Sequence, residues 1–150
     1  MRIWVDADAC PKAIKDILFN AAVRTSTDLV LVSNHALTAP SSPFITKMQV
    51  VSGLDEADNK IIQNLQVGDL VITADIPLAD AVITKGGIAI NPRGELYTEA
   101  NIKQRLSIRN FSTDLRSSGV RTGGPAVLGK KEIQGFANAL DRVLARNKKI

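Results

Sequence analysis

The sequence predicts an α/β protein: a three-layer arrangement in which a parallel sheet of about five strands is flanked by helices. Three observations predict it. The short apolar runs IWV, LVLV and LVIT are continuous rather than alternating, as in strands covered on both faces. They alternate with stretches whose apolar residues recur at helical spacing, so consecutive strands are joined by crossover helices, which are right-handed by rule. The length of 150 residues suits one domain with one core, and 1–150 is read as such.

Ile3-Trp4-Val5 is the first strand. Pro11 suits the first turn of a helix, where its missing N–H costs nothing. That helix is expected over about residues 11–24, with Ile14, Ile17, Leu18, Ala21 and Ala22 on one face. Leu29-Val30-Leu31-Val32 is the second strand, followed by the loop SNHALTAPSSP, marked by prolines and small polar residues. Met48-Gln49-Val50-Val51 is the expected third strand. Asp55 then opens a helix with Ile61, Ile62 and Leu65 on its inner face. Leu70-Val71-Ile72-Thr73 is the fourth strand. A helix from Pro77 to about residue 85 is stopped by Gly86-Gly87, and the fifth strand, Ile88-Ala89-Ile90, is closed by NPRG. A helical extension starts at about residue 98. Its first helix runs to about residue 115, then come the loop RSSGVRTGGPAVLG and a last helix over about residues 130–148. The stripe of that helix is Phe136, Leu140, Val143 and Leu144.

Hydrophobic residues make up 45% and charged residues 23%, ordinary for a soluble globular protein. No apolar run approaches the 18 residues or so of a membrane span. The first residues are too charged for a signal peptide. A single cysteine, Cys10, excludes an internal disulfide and a multi-cysteine zinc site. A reducing cytoplasm is the expected location. Charge is unevenly spread. Residues 1–80 carry 6 Lys/Arg against 10 Asp/Glu, net −4, and residues 81–150 carry 13 against 5, net +8. An acidic half that holds metal and a basic half that holds a polyanion would divide in this way. So would helices with solvated basic faces.

In open parallel sheets, ligands bind beyond the carboxyl ends of the strands. Asp6 and Asp8 follow the first strand, Asp55 and Asp58 the third, and Asp75 the fourth, with Asp80 five residues later. So many carboxylates on one rim repel each other unless a cation neutralises them. Mg²⁺ or Mn²⁺ is the expected cofactor, since both prefer carboxylate oxygen and water. Such an ion activates a water and stabilises the oxygen leaving a phosphodiester. Taken singly, each aspartate also fits a plainer role. Asp55 is a good N-cap with Asp58 three residues on, Asp75 precedes a proline-started helix, and Asp8 suits the turn into the first helix.

Cys10 lies at a helix start, where a thiolate is favoured, but with no histidine nearby in sequence it is read as a packed thiol. His35, the sole histidine, is read as a loop surface residue rather than a proton shuttle. RTGGP lacks the Lys-Ser/Thr of a P-loop, although its amides and Arg121 suit a phosphate. Arg105, Arg109, Arg116, Arg121, Lys130 and Lys131 form a candidate basic border for a nucleic-acid backbone. An aromatic content of 4% argues against a base-stacking platform.

IWVDADACP, LDEADNKI, DLVITADIPLA and RTGGP together resemble the YaiI/YqxD family of bacterial proteins, across nearly the whole chain and in that family's order. The family is similar to PIN-like (PilT N-terminal) domains. The resemblance implies a parallel sheet flanked by helices and an acidic divalent-metal site, used in many relatives to cut RNA. It implies that Asp6 is the acid closing the first strand and that Thr73 and Asp75 are the Thr-x-Asp after the fourth. Asp55 and Asp58 then form the mid-domain Asp-x-x-Asp, and Asp8 is a family feature.

The leading expectation is therefore a metal-dependent ribonuclease-like hydrolase acting on single-stranded RNA. Its catalytic residues are Asp6, Asp8, Asp58 and Asp75, its metal ligands are these with Asp55, and Thr73, Asp80 and Asn34 form a second tier. Two alternatives stand beside it. DADAC also resembles the Asp-x-Asp of haloacid-dehalogenase-type phosphatases, with Asp6 as nucleophile, Asp8 as acid/base, Ser33 ending a strand and Asp75 with Asp80 as a distal pair. The other is a non-catalytic RNA-binding domain. Nothing in the sequence selects a protein partner or an oligomeric state.

Overall fold

The structure, a computed structural model, describes residues 1–7, 10–34, 39–50, 56–103 and 129–148, with the backbone alone at 56–58 and 147–148. The strands are β1 (Arg2–Asp6), β2 (Asp28–Ser33), β3 (Ile45–Gln49), β4 (Leu70–Ile72), β5 (Ile88–Ile90) and β6 (Leu96–Tyr97). The helices are α1 (Lys12–Thr25), α2 (Glu56–Asn64), α3 (Ile76–Thr84) and α4 (Lys130–Lys148), and residues 99–103 are also helical.

The strands form one sheet in the order β3-β2-β1-β4-β5-β6. All neighbours pair in parallel except β5 and β6. The two core strands nearest the site are covered on both faces, which is why their sequences read as unbroken apolar runs. Ile3, Val5, Leu29, Leu31, Leu70 and Ile72 point to the α1 and α4 side, where Ile14, Leu18, Phe136 and Leu140 meet them. Trp4, Val30, Val32 and Val71 point to the other side, against Ile61 and Leu65 from the α2 segment and Leu78, Ala79 and Val82 of α3. This is the three-layer α/β arrangement the sequence predicts.

From β1 the sheet grows through α1 to β2 and β3. It then resumes on the far side of β1, with α2 leading to β4 and α3 to β5. Direction and helix-bearing face reverse together, as right-handed crossovers require. The growth direction changes between β1 and β4, which makes the carboxyl ends of these two strands the topological switch point.

The helix α4 runs antiparallel to the parallel strands. Its Gly135 abuts Gly94, just beyond the carboxyl end of β5. Further along, Asp141 pairs with Arg24 at the end of α1 at 2.8 Å, and Val143 and Arg146 lie beside Met1 and Ile88 at the strands' amino ends. Lys130 and Lys131 therefore stand at the carboxyl end, the same end as the switch point.

Two features differ from the sequence reading. The third strand is Ile45–Gln49, three residues earlier than expected. It is an edge strand with only β2 as neighbour, so much of it is exposed and the unbroken-run signal does not apply. Only one residue of the expected overhang joins the ladder, through Val50 N–H to the Ser33 carbonyl at 2.8 Å; Val51 lies outside the described residues. The second difference is a sixth, antiparallel strand. NPRG does not merely end β5 but turns the chain back: Gly94 has φ +89°, and Asn91 Oδ1 accepts from the N–H groups of Arg93 (2.9 Å) and Glu95 (3.0 Å). Of the helix expected from about residue 98 to 115, residues 99–103 are helical, and 104–128 lie outside the described residues.

Candidate functional site

The switch-point rim is assembled from residues 67 positions apart. Val5 pairs with Ile72, so the next residue on each chain, Asp6 and Thr73, stand side by side. Thr73 donates its hydroxyl to Asp6 Oδ2 at 3.3 Å. The same Thr73 Oγ1 accepts the backbone N–H of Asp75 at 3.0 Å. Asp75 in turn caps α3, its Oδ1 accepting from Leu78 N–H at 3.0 Å. One threonine thus links two acidic residues and the start of a helix. Asp6 and Thr73 are both buried, at 9% and 1% exposure. Asp75 is half-buried, and its Oδ2 makes no hydrogen bond among the described residues.

Local sequence explains each placement. The period-2 alternation that sends Trp4 and Val71 to the α2/α3 side sends Asp6 and Thr73 to that side too. Pro77 in the first turn and Asp75 as N-cap start α3 immediately beyond the strand. The plainer role of Asp75 as a cap is therefore realised, through one of its two carboxylate oxygens.

Of the other aspartates, Asp58 lies in the first turn of α2, two residues after its start. This helix packs beside α3 and against β1 and β2. It ends near Gln66, whose N–H reaches Asp69 at the amino edge of the sheet. The first turn of α2, with the Asp58 backbone, is therefore at the carboxyl edge, on the face that carries Asp6 and Thr73. Asp8, Asp55 and the side chain of Asp58 lie outside the described residues, as do His35, Arg105, Arg109, Arg116 and Arg121. Asp80 is five residues into α3 from its cap, about 7.5 Å along the helix axis and away from the rim. Asn34 directly follows β2, and buried Ser33 ends that strand, one position beyond the residue paired with Asp6.

Cys10 is buried at 7% exposure. Burial pushes its thiol up to about 12, Lys15 opposing this and the nearby Asp6 charge adding to it. It is a packed neutral thiol, as the sequence reading favours.

One carboxylate escaped notice in the sequence. Asp69, 6% exposed, sits just before β4, at the end of the strand opposite Asp75. Its Oδ1 accepts from Arg2 N–H at 3.1 Å, and its Oδ2 from Trp4 Nε1–H at 3.1 Å and Gln66 N–H at 3.0 Å. A carboxylate so fully used is structural. Arg93 was also passed over. The hairpin turn presents it one strand beyond β4, at the same end as Asp75, and the only sequence signal was the turn motif itself.

Asp6, Thr73 and Asp75 offer oxygen donors alone, with no imidazole or thiolate, a set suited to a hard cation. Mg²⁺ keeps several waters and is commonly bound through one or two carboxylates, so these residues fit such an ion. Among the described residues, no three His, Cys, Asp or Glu side chains gather as a metal-binding group. Also among the described residues, no helix is long and apolar enough to cross a membrane.

Comparison with known proteins finds relatives along nearly the whole chain. The family described as uncharacterized bacterial proteins of the YaiI/YqxD type matches residues 4–146. The chain is 62% identical over 148 residues to a UPF0178 protein of Legionella pneumophila strain Lens, covering 99% of this chain and 100% of that one. It is 58% identical over 149 residues to a UPF0178 protein of Colwellia psychrerythraea strain 34H, covering 99% of each. No solved structure matches it. A match of this extent means that the chain belongs to the YaiI/YqxD family.

Proposed function

We propose that this protein is a divalent-metal-dependent hydrolase of phosphodiester bonds in single-stranded RNA, of PIN-like type. The observation that supports this most is the hydrogen-bonded series from Asp6 through Thr73 to Asp75 at the switch point of the sheet. A bound Mg²⁺ or Mn²⁺ supplies charge neutralisation and an activated water. The residues supply the rest. Asp6, buried and hydrogen-bonded by Thr73, would hold the ion through its carboxylate. Asp75, which caps α3 through one oxygen, would offer its other oxygen to the ion. Asp58, whose backbone lies in the first turn of α2, would complete the acidic set together with Asp8 and Asp55. Lys130 and Lys131, exposed at the same end of the molecule, and the arginines of 104–128 supply positive charge for the RNA backbone.

The test is cleavage of a labelled single-stranded RNA by purified protein with Mn²⁺, for the wild type, Asp6→Asn and Asp75→Asn. Loss of cleavage in both variants, with RNA binding retained, is the expected result. Undiminished cleavage in the double variant defeats the proposal. A phosphorylated Asp6 trapped with an aryl phosphate substrate selects the phosphatase instead. Salt-sensitive RNA binding without cleavage under any divalent ion selects the non-catalytic module.

A further inference from the structure

The turn that joins β5 to β6 is far more constrained than a hairpin connection needs to be. Asn91, 8% exposed, accepts two backbone N–H groups through its side chain, those of Arg93 and Glu95. Its own N–H and carbonyl also bond within the turn, to the Glu95 carbonyl at 3.0 Å and the Gly94 N–H at 2.9 Å. Gly94 then presses against the α4 backbone at Gly135. Rigidity of this kind fixes where the backbone of Arg93, a half-buried cationic residue, stands.

That place adjoins the acidic rim. Thr73 N–H bonds the Ile90 carbonyl at 3.1 Å, so the end of β4 is tied to the end of β5. Neighbouring strands are about 4.8 Å apart, which puts the base of the Arg93 turn about 5 Å from the end of β4 and about 10 Å from that of β1. The turn leans on α4, whereas Asp6 is on the α2/α3 side and Asp75 caps α3. Lys130 and Lys131 are on the first turn of α4, about 7.5 Å further out than Gly135.

We propose that Arg93 is a substrate-positioning residue that binds a backbone phosphate neighbouring the one at the aspartates, so that the RNA strand crosses the sheet rim from the α2/α3 side towards the start of α4. This rests on the RNA reading above and adds a direction to it. A guanidinium suits the role because its fixed donor fork matches two phosphate oxygens at once. The rigid turn means that little loop freedom is lost on binding.

The experiment measures binding of a single-stranded RNA oligomer, with EDTA present to prevent cleavage, as a function of salt. The proteins are the wild type, Arg93→Gln, Arg93→Lys and Arg146→Gln, the last removing equal charge at the opposite end of the sheet. One phosphate contact on a single strand contributes about 0.7 to the slope of log K against log salt. Arg93→Gln should lower the slope by about 0.7, while Arg93→Lys and Arg146→Gln keep the wild-type slope. An unchanged slope in Arg93→Gln overturns the proposal, as does an equal drop in Arg146→Gln. Loss of the slope in Arg93→Lys also overturns it, since that result reports a disturbed turn rather than a lost charge. A wild-type protein that binds no RNA even at low salt defeats the RNA reading itself, a result distinct from the other three.

Discussion

The backbones of Gly94 and Gly135 touch: a β-carbon on Gly94 would stand 2.6 Å from the carbonyl carbon and oxygen of Gly135. This contact docks the β5–β6 turn onto α4. It is also asymmetric. Gly94 needs both its positive φ of +89° and the missing β-carbon, whereas a β-carbon on Gly135 would meet only the Arg93 carbonyl at 3.5 Å, an ordinary contact. Two alanine substitutions in one contact should therefore have opposite signs. Gly94→Ala should lower stability by about 3 kcal/mol through left-handed strain and overpacking. Gly135→Ala, inside a helix, should raise it by about 0.5–1 kcal/mol. Urea unfolding of both variants checks this, and destabilisation by Gly135→Ala would contradict the geometry described.

Asp69 makes a second prediction. Asp69→Ala leaves the buried Trp4 indole N–H and two backbone N–H groups without their acceptor and should cost about 3 kcal/mol. Trp4 is the sole tryptophan, so its fluorescence reports directly on the lost bond. RNA cleavage by the fraction that remains folded should be unaffected, because Asp69 is at the amino end of β4 and the proposed site at the carboxyl end.

Thr73 separates structure from chemistry at the rim. Thr73→Val keeps the shape but removes the hydroxyl shared by Asp6 and the Asp75 backbone. A loss of about 1–2 kcal/mol in stability is expected, together with weaker Mn²⁺ binding. Thr73→Ser should restore both. Manganese titration followed by calorimetry distinguishes the two variants, and equal affinity in Thr73→Val would remove Thr73 from the site.

Metal binding itself should appear in thermal melting. An ion at 100 times its dissociation constant adds about 2.7 kcal/mol to the folded state. Mn²⁺ should raise the melting temperature of the wild type and not of the variant carrying both Asp6→Asn and Asp75→Asn. An equal shift in the two proteins would mean that the ion binds elsewhere.

Cys10 predicts an alkaline weakness. Burial pushes its thiol up from the ordinary 9.0 to about 12. The unfolded chain releases this proton near pH 9, while the folded protein retains it, so between pH 9 and 12 the folded state binds more protons and stability falls as pH rises. The contribution is fully present below pH 9. It should decline by about 1 kcal/mol per pH unit through that window. Cys10→Ala should flatten the slope of stability against pH there, and a parallel profile in wild type and variant would refute the assignment.

Much of this was legible locally. Burial on both faces imposes unbroken apolar runs, so β1, β2, β4 and β5 could be recognised from their own residues. The stripe Phe136, Leu140, Val143 and Leu144 announced α4, and all four residues are buried. The edge strand β3 was displaced in the sequence reading because its partial exposure leaves no such run. The strand β6 was missed because two residues carry no periodicity, and their pairing depends on the turn held by Asn91 and Gly94.

By itself the sequence determined the periodicities, the helix starts at Pro11 and Pro77, and the aspartates that close the strands, since each depends on how neighbouring side chains meet water or a core. The tertiary structure alone decided that β4 lies beside β1, which brings Thr73 to Asp6 across 67 residues. It alone separated Asp69 from Asp75 as well. They lie on either side of the three residues of β4, yet one is consumed by three N–H donors at the amino edge and the other caps α3 at the carboxyl edge. Strand order is a matter of long-range packing, and local sequence patterns carry no record of which distant strand a given strand adjoins.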